Sequence, residues 1–368
     1  KLISYTLLVK MFMKNISIIP LKKHKTFINK IPLANPNSLS ELQFPVHSNM
    51  FWFTFPSIHS GPSINRILLF STQRNLVLMD HCDHWYADGT FKAAPPLFTQ
   101  IYTIHAVKYN STIPTVFALM PNKSQDTYVR LFNAIKDLEP NLNPISIMTT
   151  EQSAINAFHQ VFPNASQRGC FFHLSQCLWR RIQRTEGFVV RYSQDSEFAL
   201  NIRLLPALAF VPVSDVVSYF KNLLVEYFDQ NEQLLQPIIN YFEDTWFGRL
   251  DRRNRRRRPA YPPSLWNCFT AVTNDLPKTN NSIEGWHQGF NQLLGAHHPS
   301  IWRFIDGLKK EQSLNEQRLS NTLCQAPPLG RRKYRDTAER IKGIVEQYGE
   351  RPLLDYLRGI AHNFQLQV

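Results

Sequence analysis

The feature that most constrains this chain is an acidic residue inside an aromatic run, His84-Trp85-Tyr86-Ala87-Asp88-Gly89-Thr90-Phe91-Lys92. The next two segments, Phe98 to Val107 and Ile113 to Met120, are rich in aromatic and β-branched residues, with Pro, Asn and Ser between them. Consecutive strands of a meander have this composition. A carboxylate at the centre of the first strand needs a partner, because burying it alone is strongly unfavourable. The partner is a divalent metal, an arginine or a turn amide; in the plainest case Asp88 ties off a turn before Gly89.

The surrounding text extends the pattern. Ile64 to Met79 reads as a strand with a short lead-in. Ser124 to Leu138 has apolar residues at Tyr128, Leu131, Phe132, Ile135 and Leu138, which is helical spacing, with Ser124 as N-cap. Ile145 to Thr149 is a fourth strand, Gln152 to Val161 a second helix, Gly169 to His173 a fifth strand and Ser175 to Arg184 a third helix, with Trp179 and Ile182 facing inward. Three antiparallel strands extended by βα units predict an α/β fold: a mixed five-stranded sheet with helices on both faces. That arrangement is ribonuclease H-like. In it the first and fourth strands lie side by side, and their carboxylates converge with one from a later helix on metal ions. Asp88 sits where the first acid should be.

From residue 187 to 275 helical patterns recur without strands, which reads as an all-helical insertion into a core formed by 59–186 and 276–325. Residues 1–58 look poorly organised, and 326–368 form a basic helical tail. The chain begins with Lys rather than Met and reads as a fragment. The insertion ends in Arg252, Arg253, Asn254, Arg255, Arg256, Arg257 and Arg258, then Pro259. Such a run is a solvated loop, a nuclear localisation signal or a contact for phosphates, whose geometry guanidinium forks match. Next, Asn281 or Ser282 can cap a helix whose first turn holds Glu284, so Glu284 on local grounds complements the helix dipole. His287, His297 and His298 read as surface or capping residues, and Trp85, Tyr86 and Phe91 as core.

Composition narrows the partners. The formal charge is +13, from 41 Lys+Arg against 28 Asp+Glu, which favours a polyanion, nucleic acid before membrane. No run approaches the roughly 18 to 20 apolar residues of a membrane span. Five cysteines without a CxxC pair argue against a disulfide framework or a standard zinc finger and for a reducing compartment, and the arginine run, read as a localisation signal, makes the nucleus the expected one.

Four short motifs occur in order: Asp88-Gly89-Thr90-Phe91, Met120-Pro121-Asn122-Lys123, Gly169-Cys170-Phe171-Phe172-His173 and Asn280-Asn281-Ser282-Ile283-Glu284-Gly285-Trp286-His287. Together, over about Ser60 to Glu316, they resemble the transposase domain of Mutator-like elements. The resemblance implies a ribonuclease H-like core with an Asp-Asp-Glu triad that cuts and joins DNA with two Mg²⁺ or Mn²⁺ ions, and it leaves room for a homo-oligomer. Asp88 then is the first acid and metal ligand, and Glu284 the third. Cys170 and His173 are a Cys-x-x-His pair in a supporting role, although Cys170 also reads as a small buried hydrophobe. The second acid is missing. The chain reads Met148-Thr149-Thr150-Glu151, so Thr149, or Thr150 after a one-residue deletion, stands in its place, with Glu151 as a substitute. Mg²⁺ takes hard oxygen ligands in octahedral geometry, and a neutral hydroxyl brings no charge to anchor it. The reading is therefore a transposase-derived DNA-binding protein that cleaves only if a substitute ligand exists. The alternatives are a catalytically dead interaction domain and a metal-dependent nuclease with a cellular substrate.

Overall fold

The structure, a computed structural model, describes residues 36–39, 41–42, 55–56, 65–108, 111–228, 232–253, 255–324 and 332–366. Most of the segment 1–58 lies outside the described residues. Seven strands form one mixed sheet: β1 (Phe55–Pro56), β2 (Leu68–Phe70), β3 (His84–Thr90), β4 (Gln100–Lys108), β5 (Ser111–Met120), β6 (Ser146–Met148) and β7 (Ser166–Arg168). Their order is β1-β2-β5-β4-β3-β6-β7. β3, β4 and β5 pair antiparallel, whereas β6 lies parallel to β3, and β7 parallel to β6.

Four of the expected strands are present as β3 to β6, β7 (Ser166–Arg168) stands where the fifth was expected, and β1 and β2 extend the β5 edge: Leu68 faces Leu119 and Phe70 faces Phe117. Two runs also change type. Asn75 to Met79 belongs to helix α1 (Gln73–Asp80), where Thr72 caps the first turn by accepting from the Asn75 N–H at 3.2 Å. After α2 (Gln125–Leu138) and α3 (Gln152–Val161), β7 ends at Arg168, and Phe171 already opens α4 (Phe171–Gln183). Gly169 to His173 is therefore a strand-to-helix junction, not a fifth strand. A short apolar run has no period that separates an extended segment from a buried helix start. Here Phe171 turns into the helical core beyond it, and its N–H donates to the Lys278 carbonyl at 2.9 Å.

Seven further helices follow to the end of α11: α5 (Phe188–Gln194), α6 (Ser196–Ala207), α7 (Val216–Leu223), α8 (Glu232–Phe242), α9 (Pro263–Trp266), α10 (Phe269–Thr273) and α11 (Asn281–Leu294). Then come α12 (Ile301–Cys324), α13 (Arg332–Val345) and α14 (Leu353–Ala361). α4 to α10 bury a common core of Phe171, Leu178, Phe210, Phe220, Phe242 and Trp266. The C-terminal helices close it, inserting Ile341, Leu357 and Ile360. Each such side chain, fully buried, stabilises by about 1.5–3 kcal/mol.

Alternation along the strands sends neighbouring residues to opposite faces. Trp85, Ala87, Tyr102 and Ile147 meet Tyr128, Phe132 and Phe158 from α2 and α3. On the other face Phe117 and Leu119 meet Phe290, Phe304 and Leu308 from α11 and α12, while Tyr86 and Met148 meet Ile283 and Cys170. Asp88, two residues beyond Tyr86, belongs to this second face. Among the described residues, no helix is long and apolar enough to cross a membrane.

Candidate functional site

The site is built where β3 meets the start of α11. Asp88 sits in mid-strand with its side chain 20% exposed. Its Oδ2 accepts from Nδ2 of Asn280 at 3.4 Å and lies 3.9 Å from Nδ1 of His287. Burial pushes the Asp88 carboxyl up to about 6; the charges of Glu284 and Glu151 push the same way, against the Gly89 N–H and Lys123. Glu284 occupies the first turn of α11, and burial raises its carboxyl too. The charge of Glu284, almost 200 positions along the chain, thus adds to the burial that raises the Asp88 carboxyl.

The end of β6 contributes no acid. Tyr86 is abreast of Met148 in the parallel ladder. Ile147 packs on the α2–α3 face and Met148 on the Asp88 face. Thr149, 2% exposed, follows Ile147: its hydroxyl lies 3.1 Å from the Tyr102 hydroxyl, within the α2–α3 layer. Thr149 therefore points away from Asp88. Thr150 is half-buried and lies two residues beyond Met148, the last residue of β6.

Glu151 is held on both carboxylate oxygens. Lys123 pairs with Oε1 at 2.6 Å, and the Tyr128 hydroxyl donates to Oε2. The Lys123 ammonium also sits 4.1 Å from the centre of the Phe91 ring. The Asp88–Phe91 and Met120–Lys123 stretches are thereby drawn together beside the site.

Cys170 and His173 separate. Cys170, the N-cap residue of α4, contacts Asn280: its thiol donates to Oδ1 at 3.1 Å and accepts from the Asn280 N–H at 3.4 Å. His173 lies in the first turn of α4, edge-on to Phe172, and its buried Nδ1 has no hydrogen-bond partner among the described residues. It makes no hydrogen bond or ion pair with Asp88 or Glu284. Burial and Arg180 lower its pKa.

His287 corrects the surface reading. It is 7% exposed, its Nε2 is 3.3 Å from Thr103 Oγ1, and burial pushes it down to about 4. Thr103 Oγ1 is also 3.1 Å from Nε2 of the fully buried His105. The available signal was spacing: His287 follows Glu284 by three residues and so shares its helix face. Asn280 gave no such signal.

Of the arginine run, Arg252, Arg253, Arg255, Arg257 and Arg258 are exposed, but Arg256 is not a surface contact. Arg256 donates to Glu243 Oε1 at 2.9 Å and to the Gly248 carbonyl at 2.8 Å, over the Phe247 ring. Asp251 shapes the turn by accepting from the N–H groups of Arg253 and Arg255 at 2.8 and 2.9 Å. Gly248, at φ +74°, passes so close to the Arg257 carbonyl that a Cβ would meet it at 1.9 Å.

No curated protein and no solved structure matches the chain. One family model does, over residues 84–177, from the start of β3 into the middle of α4. The match takes in Asp88, Thr149, Glu151, Cys170 and His173, and stops short of Glu284. Residues 84–177 of this chain, about a quarter of its length, are similar to the MULE transposase domain.

Proposed function

We propose that the chain is a DNA-binding protein of transposase descent whose acidic site is one carboxylate short of cleaving DNA. The descent is supported by the matched domain and by the strand order β5-β4-β3-β6-β7, with β6 parallel to β3, which is the ribonuclease H-like order. Asp88 and Glu284 serve as the first and third acids of the ancestral triad.

The observation that carries the reading is the end of β6. Thr149 is bonded to Tyr102 on the wrong face, Thr150 is uncharged, and Glu151 is engaged by Lys123 and Tyr128. Among the described residues, no three His, Cys, Asp or Glu side chains gather closely enough to hold a metal ion. A two-ion Mg²⁺ or Mn²⁺ centre needs oxygen ligands that bridge and anchor both ions. These residues do not fit that requirement, and no cleavage step is assigned to the chain as it stands. DNA binding rests on the +13 charge and on the exposed arginines between 252 and 258, whose contacts are to phosphate and carry no sequence preference. The same exposed run suits nuclear targeting.

The test compares Mg²⁺- and Mn²⁺-dependent nicking and duplex binding by the native chain, Glu284→Ala and Thr150→Asp. Binding without nicking by the native chain is the expected result. Native nicking that Glu284→Ala abolishes would overturn it, and would make Glu151, released from Lys123, the substitute ligand. Failure to bind duplex DNA would remove the reading altogether.

A further inference from the structure

Asn280 is the N-cap residue of α11, yet its side chain caps nothing in that helix. It is 1% exposed and suspended between two groups, with Oδ1 toward Cys170 and Nδ2 toward Asp88. An asparagine amide can turn over about its last torsion, exchanging donor for acceptor at little steric cost. Something must choose the orientation, because the reverse one sets the Oδ1 lone pairs against a carboxylate. Asp88 is one constraint, because its Oδ2 accepts from Nδ2, but at 3.4 Å that contact is long.

Cys170 supplies the second constraint. Its acceptor side is occupied by the Asn280 backbone N–H, at 3.4 Å, so the thiol is left to donate. Burial pushes the Cys170 thiol up to about 11, so its proton stays in place at neutral pH. That proton is aimed at Oδ1, 3.1 Å away. A residue this buried, which forms no disulfide among the described residues, has little redox or nucleophilic outlet. What remains is the hydrogen bond.

We propose that Cys170 is a positioning residue for the acidic site: by donating to Asn280 Oδ1 it sets which end of the amide faces Asp88, and it joins the starts of α4 and α11 to strand β3. The significance of this link for DNA chemistry rests on the proposed role of Asp88; the link itself does not. The Cys-x-x-His pair is thereby divided, since His173 takes no part.

The experiment follows the side-chain amide of Asn280 by NMR in metal-free, DNA-free protein labelled with ¹⁵N at asparagine only, the peak being assigned by its loss in Asn280→Asp. Asp88→Asn shifts the peak if Nδ2 faces that carboxylate. Cys170→Ser keeps a donor, and Cys170→Val fills a similar volume without one. The expected result is a Cys170→Ser peak close to the native one, and a Cys170→Val peak displaced or broadened, with solvent exchange of the amide at least tenfold faster. An unchanged peak in Cys170→Val overturns the proposal, as does an equal displacement in the serine and valine variants. Should Cys170→Val not fold, Cys170→Ala is read in the same way. Mn²⁺ and DNA binding by Asp88→Asn, measured separately, decide whether Asp88 matters for function, so the two readings fail independently.

Discussion

The hydroxyl of Thr149 lies 3.1 Å from that of Tyr102, in the apolar layer on the side of the sheet away from Asp88. This relationship separates two substitutions that the sequence leaves equivalent. Thr149→Asp buries a carboxylate among Tyr102, Tyr128 and Phe132, and should destabilise the protein by about 1–3 kcal/mol or more. Thr150→Asp adds its charge just beyond the end of β6, in a half-buried position, where it should raise Mn²⁺ affinity above that of the native chain. Urea unfolding and calorimetric Mn²⁺ titration of both variants check the pair. Stronger Mn²⁺ binding by Thr149→Asp than by Thr150→Asp would reverse the facing argued here.

The arginine run divides in the same way. Replacing Arg252, Arg253, Arg257 and Arg258 by Ala should leave the melting temperature within a few degrees of native. It should flatten the log–log salt dependence of DNA binding by about 0.9 for each phosphate contact removed. Arg256→Ala should do the opposite. It removes charged hydrogen bonds to Glu243 and to the Gly248 carbonyl, at a cost of about 1.5–3 kcal/mol, and leaves the salt slope nearly unchanged. Fluorescence anisotropy at four salt concentrations, with thermal melts, distinguishes the two classes.

Sequence was most informative where one pattern had one solution. The β3–β5 meander follows from strand-rich runs divided by turn residues, and α2 from its apolar period and Ser124 cap. It was least informative where local and tertiary preferences compete. Asn75 to Met79 and Gly169 to His173 are short apolar runs, and only their neighbours, Gln312 against Asn75 and Lys278 against Phe171, show that helix wins. In the site, Asp88 and Glu284 stand out through motif order. Asn280 becomes visible only when α11 is docked on β3, and only there does the spacing of His287 from Glu284 acquire a meaning, because their partners Cys170 and Thr103 lie more than a hundred residues upstream. Arg256 shows the same limit: nothing in a row of arginines marks the one that turns inward.

Gly285 and Gly289 are helical glycines in α11 whose added Cβ atoms would meet nothing within 4 Å. A glycine in a helix interior is about 1 kcal/mol worse than alanine. Gly285→Ala and Gly289→Ala should therefore each stabilise the free protein by about 0.5–1 kcal/mol. The groove they line, with Trp286, Asn315 and Arg318, is open on the outside. Unchanged DNA affinity in both variants is expected if that groove is not the DNA path. A loss of affinity without loss of stability would bring the DNA strand against α11.

Asp88 and His287 are displaced in opposite directions by the same burial, which gives a specific pH response. The Asp88 carboxyl is raised from its usual range to about 6, so between about pH 4 and 6 the folded state binds the extra proton, and its contribution to stability falls as pH rises. Glu284, also raised, acts in the same sense. His287 is lowered to about 4, so over nearly the same window the unfolded state binds the extra proton, and stability rises with pH. The contributions oppose, and the native chain should show little net slope from this site between pH 4 and 6. Asp88→Asn removes one side of the balance: its stability should increase with pH more steeply than native through that window, and it should exceed native stability at pH 7. His287→Gln should show the reverse, a stability that declines relative to native as pH rises from 4 to 6. Urea midpoints at half-unit pH steps for the three proteins read the balance directly, and parallel profiles for all three would mean that neither group is perturbed as described.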